Sequence, residues 1–468
     1  MEVGKQSAMS KTFCFIDGTK SDPATRRRAR SHAMKGKNVG KTHNRRAKLL
    51  PSEPASDLQD SDLQDNGYNG TDSHLPQQQA WTCGPREDGI LPLHLPVSTT
   101  PQSQHVIKQF FAEVMNCLHP PQLCQSLDQI NSRWLTTLFS NKTAYHCSIA
   151  LMATLNQFFF GRDVASSEAA YHLTKAVILV KQSLETPEAL SNTNISVVNF
   201  MVVQELLNGA KCRAEVHLKG LQKMVELRGG ILKLGDDSVL MVKICKTDLD
   251  VALHFGTPTC FYRDHMSHVS SHMASCGFVE TASFGECYSG FSVMHPSLQQ
   301  VLLDVANVTS FFNQGFRMAP HFLQEAIVSF GYRLVRFQPM GGPLLGTKLE
   351  SVCHIALTAL MTTLLLQIGR RRFLQYGLVG QHLKDVVSSG LDEVGSDIRL
   401  WVLFLGGISV VSERDDNWLL ASIQDAARSS GVQDWGGLHR RLMQFPWIRS
   451  LHDAESKKLW YSSVRMGY

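Results

Sequence analysis

Charge is segregated along this chain. Residues 1–50 carry a net charge of +10, residues 51–100 a net charge of −7, and the remaining 368 residues only +2. A single core cannot take in all three blocks, because charged, apolar-poor stretches bury too little surface to offset the entropy lost on ordering them. The formal charge of +5 for all 468 residues therefore describes none of the parts. The pattern predicts three regions: a basic arm over 1–50, a disordered acidic linker rich in Ser, Asp, Gln and Pro over 51–104, and a helical domain over 105–468. The linker contains the near-duplicate segments Ser56-Asp57-Leu58-Gln59-Asp60 and Ser61-Asp62-Leu63-Gln64-Asp65. Its acidity also leaves open that it folds back on the arm when no polyanion is present.

From His105 onward, apolar residues recur at helical spacing. Leu218, Leu221, Met224 and Val225 share one face, Lys219, Lys223 and Glu226 fall away from it, and Gly229-Gly230 after Arg228 is a helix stop. A second helix follows from Leu240, Ile244, Val251 and Phe255, ending at Gly256 and Pro258. Further helices are expected over 107–118, 144–160, 168–184, 197–207, 320–337, 355–372 and 399–411. Strand signals are sparse, so the expected class is all-α. The densest apolar run, Ile355 to Ile368, spans only about 21 Å as a helix, short of a bilayer core of about 30 Å, and is read as a buried helix. No membrane partner is expected. The first 30 residues are charged throughout, which predicts no secretory signal, and the 11 cysteines are scattered and odd in number, which favours a reducing compartment.

The arm concentrates the candidate site. Asp22-Pro23 is a good helix start, and Arg26, Arg27, Arg28 and Arg30 follow on consecutive turns among alanines. Lys35 and Lys37 extend this cluster. Lys41, Arg45, Arg46 and Lys48 form a second cluster beyond Gly36 and Gly40. Guanidinium forks match phosphate oxygens, and each phosphate neutralised releases condensed counterions, so such an arm predicts salt-sensitive contact with the DNA backbone and no base specificity of its own. A nuclear import signal, a solvated charge run and attachment to anionic lipid are the alternative readings. No aromatic residue is interleaved with these cations, which argues against single-strand stacking.

Other constellations carry less. Cys260, His265, His268, His272, Cys276 and Cys287 offer zinc-type donors, but no Cys-x-x-Cys pair occurs and the histidines spread over two helical turns. The expectation is a polar loop. Gly341-Gly342-Pro343-Leu344-Leu345-Gly346-Thr347-Lys348 has the glycines of a phosphate-cradling loop, with Lys and Thr in reversed order and Gln338-Pro339 interrupting any preceding strand. Asp248 and Asp250 sit on an amphipathic helix, with Arg228 a candidate partner for Asp248, and core pairing or a solvated face is the expected role. No catalytic motif is present, so no enzyme activity and no cofactor or metal are expected. Five of the seven tryptophans follow residue 400, where they are expected to anchor helix packing.

Three blocks resemble one family. Phe13-Cys14-Phe15-Ile16-Asp17, Pro23 and Arg27-Arg28-Ala29-Arg30-Ser31-His32-Ala33-Met34-Lys35 are similar to the N-terminal signature of fungal-specific transcription-factor-like proteins. The run from His217 through Leu227-Arg228-Gly229-Gly230-Ile231 resembles the family's regulatory-domain segment. The tail matches in Trp401-Val402-Leu403-Phe404-Leu405-Gly406-Gly407, Asn417-Trp418-Leu419-Leu420, Phe445-Pro446-Trp447 and Leu459-Trp460. The resemblance implies a helical regulatory domain, a nuclear location and control of genes, those of a metabolic or secondary-metabolite pathway among them. It implies DNA and other transcription or import proteins as partners, and leaves homo-oligomerisation open. The sequence departs from members with a binuclear zinc cluster, since Cys14 is the only cysteine before Cys83. A protein-interaction scaffold imported by the arm is the alternative function, and an enzyme built on Cys260 to Cys287 the third.

Overall fold

Helix ends are written into the sequence wherever a capping side chain meets a proline. Thr100 accepts a hydrogen bond from the Ser103 amide at 3.0 Å and Pro101 opens α1, Pro101–Gln109, which continues through a π-helical turn, Phe110–Val114, into α2, Met115–Leu118. Asn141 caps α4, Lys142–Phe159, through the Ala144 amide at 2.8 Å. The computed structural model describes residues 98–161, 167–235, 238–280, 289–343, 346–365, 367–368, 371–372, 374–391, 394–412 and 416–465. The basic arm, and the acidic linker as far as residue 97, lie outside these residues.

The chain is all-α. After α3, Asp128–Ser140, and α4 come α5, Ser167–Ser183, α6, Asn192–Leu207, α7, Lys211–Leu227, α8, Ser238–Phe255, and α9, Met266–Ser275. Then follow α10, Pro296–Asn313, α11, Pro320–Phe337, and α12, Lys348–Thr363. Among the described residues the one sheet is a two-residue antiparallel pair, β1 Gln367–Ile368 with β2 Arg371–Arg372, in which Gln367 faces Arg372. The chain closes with α13, Gly377–Ser388, α14, Ser396–Ser409, α15, Asn417–Ser429, α16, Trp435–Leu442, and α17, Arg449–Arg465. Described residues from 98 onward fall in one compact unit.

Two helices form its centre. Every residue of α12 from Glu350 to Thr363 is buried, as is nearly all of α14, and the two pack on each other. Most of the polar groups that distinguish α12 from a membrane span find partners, His354 Nδ1 being an exception. Thr358 donates to the His354 carbonyl at 2.8 Å, Thr362 to Ala359 at 2.7 Å, and Thr363 to Leu360 at 2.6 Å, while His354 Nε2 meets the Leu334 carbonyl at 3.0 Å. No helix of the described residues is long and apolar enough to cross a membrane. The helix expected over 355–372 in fact starts at Lys348 and stops at Thr363, because Thr347 and Glu350 form a capping box at its start and the chain turns into the β1–β2 hairpin beyond its end.

That capping box also disposes of the phosphate-loop resemblance. Glu350 accepts hydrogen bonds from the Thr347 amide at 2.8 Å and the His295 amide at 2.6 Å, so a carboxylate already holds the anion position at this helix start. Its pKa is accordingly lowered, first by the Thr347 amide.

Of the five tail tryptophans Trp401, Trp447 and Trp460 are buried in the core, and Trp418 and Trp435 pack against it partly buried. Trp401 and Trp447 are fully buried; Trp401 stacks on Phe445 with ring centroids 5.1 Å apart and donates to the Pro446 carbonyl at 3.1 Å, and Trp447 donates to Asp453 at 2.8 Å. Gly406 and Gly407 let α13, α15 and α17 approach α14, since a Cβ would lie 2.2 Å from Leu383 Cδ2 at the first position and 2.4 Å from Leu459 Cδ2 at the second.

Candidate functional site

The segment between α8 and α9 is held by a buried carboxylate. Asp248 on α8 accepts from the Cys260 amide at 2.8 Å, from the Phe261 amide at 2.9 Å, and from the Tyr332 hydroxyl of α11 at 2.9 Å. Burial pushes its pKa up, and these three donors work against that rise. Gly256, at φ 69°, turns the chain out of α8, and a Cβ there would sit 3.0 Å from the Met340 carbonyl oxygen, so the turn needs glycine twice over. Asp250 plays a parallel role, accepting from the Tyr376 hydroxyl at 2.9 Å. Both aspartates are core-pairing residues. Arg228, which caps the end of α7, does not pair with Asp248; it donates to the Leu190 carbonyl, in the turn before α6.

This tether delivers Arg263 to a buried ion pair. Its Nε lies 2.8 Å from Glu325 Oε2 and its Nη2 lies 2.5 Å from Glu325 Oε1, with the two side chains only 5% and 2% exposed. His265 follows at once, its amide donating to Ser329 Oγ at 2.9 Å. The Asp264 carboxylate accepts from the Met266 amide at 3.1 Å and so opens α9. On that helix Met266, Val269 and Met273 face the core at offsets of 3 and 7, which leaves His265, His268 and His272 on the other face. Residues 266–275, expected as a loop, are therefore a helix, whose apolar stripe is diluted by Ser and His of weak helix propensity.

The histidines of α9 meet the first turn of α11. His272 stacks on Phe322 with centroids 4.1 Å apart and planes 10° from parallel, and His321 Nε2 lies 3.7 Å from Glu325 Oε1. Between them, bounded also by Leu232, Gly235 and Met241, is a cleft of about 730 Å³. A proton chain runs along its floor. Arg263 Nη2 is 3.2 Å from His265 Nδ1, and His268 Nδ1 is 3.2 Å from the same atom. A guanidinium can only donate, so His265 Nδ1 accepts and its proton sits on Nε2; His268 then meets that atom through its Nδ1 hydrogen. Burial holds the pKa values of His265, His272 and His321 below the ordinary value; Arg263 adds to the effect at His265 and His321. The Arg263 and Glu325 charges compensate each other on the cleft floor.

Among the described residues, no group of three or more His, Cys, Asp or Glu is placed to hold a metal ion. Cys260 accompanies its amide to Asp248, Cys276 lies 3.9 Å from His272 Nε2, and Cys287 is outside the described residues. The ten cations of 26–48 also lie outside them. Sequence reasoning singled out His265, His268 and His272 but missed Arg263, His321, Phe322 and Glu325. The only local signal for the last group was the i, i+4 spacing of His321 and Glu325 on a helix that opens with proline.

Residues 108–319 match the family model described as Fungal specific transcription factor domain. No curated protein and no solved structure matches the chain. The matched stretch runs from α1 through α10 and contains Arg263 and the α9 histidines. His321, Phe322 and Glu325 follow it directly, so the cleft is assembled across the end of the matched segment.

Proposed function

We propose, from the premise that the chain carries a fungal-specific transcription factor domain, that it is a nuclear regulator whose basic arm grips DNA phosphates while the helical domain governs when it does so. The domain itself points to transcription regulation, to DNA or regulatory proteins as partners, and away from catalysis. The finer reading rests on the charge segregation: a block of +10 in the first 50 residues stands beside a helical domain that is nearly neutral. Arg26, Arg27, Arg28, Arg30 and Lys35 are assigned to the phosphate backbone first, with Lys37, Lys41, Arg45, Arg46 and Lys48 extending the contact. Nothing in this arm reads bases, so the choice of genes, those of a metabolic pathway in this proposal, would come from partner proteins or DNA shape.

Binding of the full chain to duplex DNA across a salt series tests the assignment. Each phosphate neutralised contributes about 0.9 to the slope of log affinity against log salt, so replacing Arg26, Arg27, Arg28 and Arg30 together by Ala should flatten that slope by about 3 to 4 and weaken binding at low salt by orders of magnitude. An unchanged slope, or an absence of binding by the parent at low salt, would refute it and favour a scaffold whose arm serves import alone.

A further inference from the structure

We propose that the cleft between α9 and α11 is a binding site for a small, uncharged, planar aromatic carbonyl compound. The inference is independent of the DNA contact. Three features of the cleft specify this chemistry, and each excludes something.

Shape comes first. A volume of about 730 Å³ falls within the usual range of about 300–1,000 Å³ for small-molecule sites. The near-parallel pair His272 and Phe322, stacked at 4.1 Å, lines it, and Met241 and Leu232 add apolar surface. A preformed flat wall favours a flat ring system, because no side chain needs to be ordered when the ring arrives.

The second feature is a donor held only by a weak acceptor. Arg263 places its Nε and Nη2 on Glu325, and Nη2 also reaches His265, but the acceptor at Nη1 is the Met241 thioether sulfur at 3.9 Å. A thioether is a weak acceptor, and a guanidinium nitrogen this deeply buried gains from a better one. A carbonyl oxygen supplies it. The His265–His268 pair adds imidazole groups beside it, so a ring hydroxyl next to the carbonyl would also find a partner.

Charge is the third. The Glu325 carboxylate cancels Arg263, and burial lowers the pKa values of His265, His272 and His321, so a carboxylate or phosphate entering the cleft would lose its hydration next to a buried anion whose cation is already paired. This selects a neutral ligand over its acidic analogue and separates the site from one that would take a metabolic acid.

The test uses 2-acetylnaphthalene as the neutral probe and 2-naphthoate as its charged counterpart, each titrated into the full-length protein by calorimetry and ligand-observed NMR. One saturable site for 2-acetylnaphthalene is expected, with 2-naphthoate at least about tenfold weaker. Phe322→Ala should weaken the neutral probe about tenfold by removing the stacking wall. His268→Ala, at an exposed position that does not threaten the fold, should weaken a 1-hydroxy derivative of the probe more than the parent ketone. Absence of saturable binding by 2-acetylnaphthalene, equal or tighter binding of 2-naphthoate, or affinities unmoved by Phe322→Ala would each overturn the proposal. Circular dichroism of both variants separates loss of the site from loss of the fold.

Discussion

Acidification from pH 6.5 towards 5 is expected to strip the helical domain of stability at up to about 4 kcal/mol per pH unit. His354, fully buried, and His119 and His217, partly exposed, carry most of this effect. Desolvation lowers His119, His217 and His354 from the ordinary 6.5 to about 4, aided at His119 by Lys246 and Lys243 and at His217 by Arg213. As pH falls through 6.5 the unfolded chain protonates these imidazoles while the folded chain does not, so unfolding takes up as many as three extra protons. Each is worth about 1.4 kcal/mol per pH unit. Their contribution is fully present above pH 6.5 and lost as the pH descends towards 4. Glu350 adds in the same direction, whereas Asp248 and Asp250, whose carboxyls burial pushes up, work against it. Denaturant unfolding at a series of pH values reads the slope, and His354→Gln should reduce it by about 1.4 kcal/mol per unit. A variant with the parent's slope would show that His354 is not held neutral by its burial.

The second large effect is expected at the ion pair on the cleft floor. Arg263→Met removes the only cation among the described residues that is hydrogen-bonded to Glu325, whose side chain is 2% exposed, and leaves a carboxylate in a water-poor site. Stranding one member of such a pair costs about 3–5 kcal/mol, whereas replacing both members by apolar residues is often neutral or stabilising. Arg263→Met alone should therefore lower unfolding free energy by about 3 to 5 kcal/mol, and Arg263→Met combined with Glu325→Leu should recover most of it. The recovery is the informative result, because it separates the cost of an orphaned charge from the cost of lost packing. Should the double variant be no more stable than the single one, the pair would be holding the segment 260–265 in place by geometry. His321 and His265, at 3.7 and 3.9 Å from Glu325 Oε1, can gain a proton in the single variant and soften the loss at low pH.

Much of the fold could be read from the chain. Helix α11 runs over Pro320–Phe337, the bounds that proline and the apolar spacing set, and α7 ends where Gly229 and Gly230 take φ values of 98° and 101°. Those positions were legible because helix punctuation is local: a residue without an amide hydrogen at one end, a residue without a Cβ at the other. The helices missing from the sequence reading fall into two groups. α16 is eight residues long with Gly436 and Gly437 inside it, and α17 is mostly polar with few buried apolar residues, so neither has a strong period. Helices α3, α10, α13 and α15 are different: Leu298, Val301, Leu302, Val305 and Val308 repeat at helical spacing after Pro296 in α10, as do Val379, Leu383 and Val386 in α13 and Leu419, Leu420 and Ile423 in α15, and the signal was present in the chain.

The cleft was legible only in half. His265, His268 and His272 stand out as a run of imidazoles, but their chemistry depends on Glu325, which is 62 positions from Arg263. No periodicity or motif encodes that pairing, since it arises from the packing of α9 and α8 against α11. The zinc-like spacing of Cys260 to Cys287 misleads for a related reason. Donor types are visible in sequence, whereas their convergence on a point is a property of the fold.

The central claim is that the basic arm carries the regulator to DNA. Its most direct test is genome-wide mapping of chromatin occupancy for the full chain and for the chain lacking residues 1–50, the latter supplied with an unrelated nuclear import signal. The account predicts that the shortened chain enters the nucleus yet loses most of its occupied sites. Occupancy of the same sites at the same strength would contradict it.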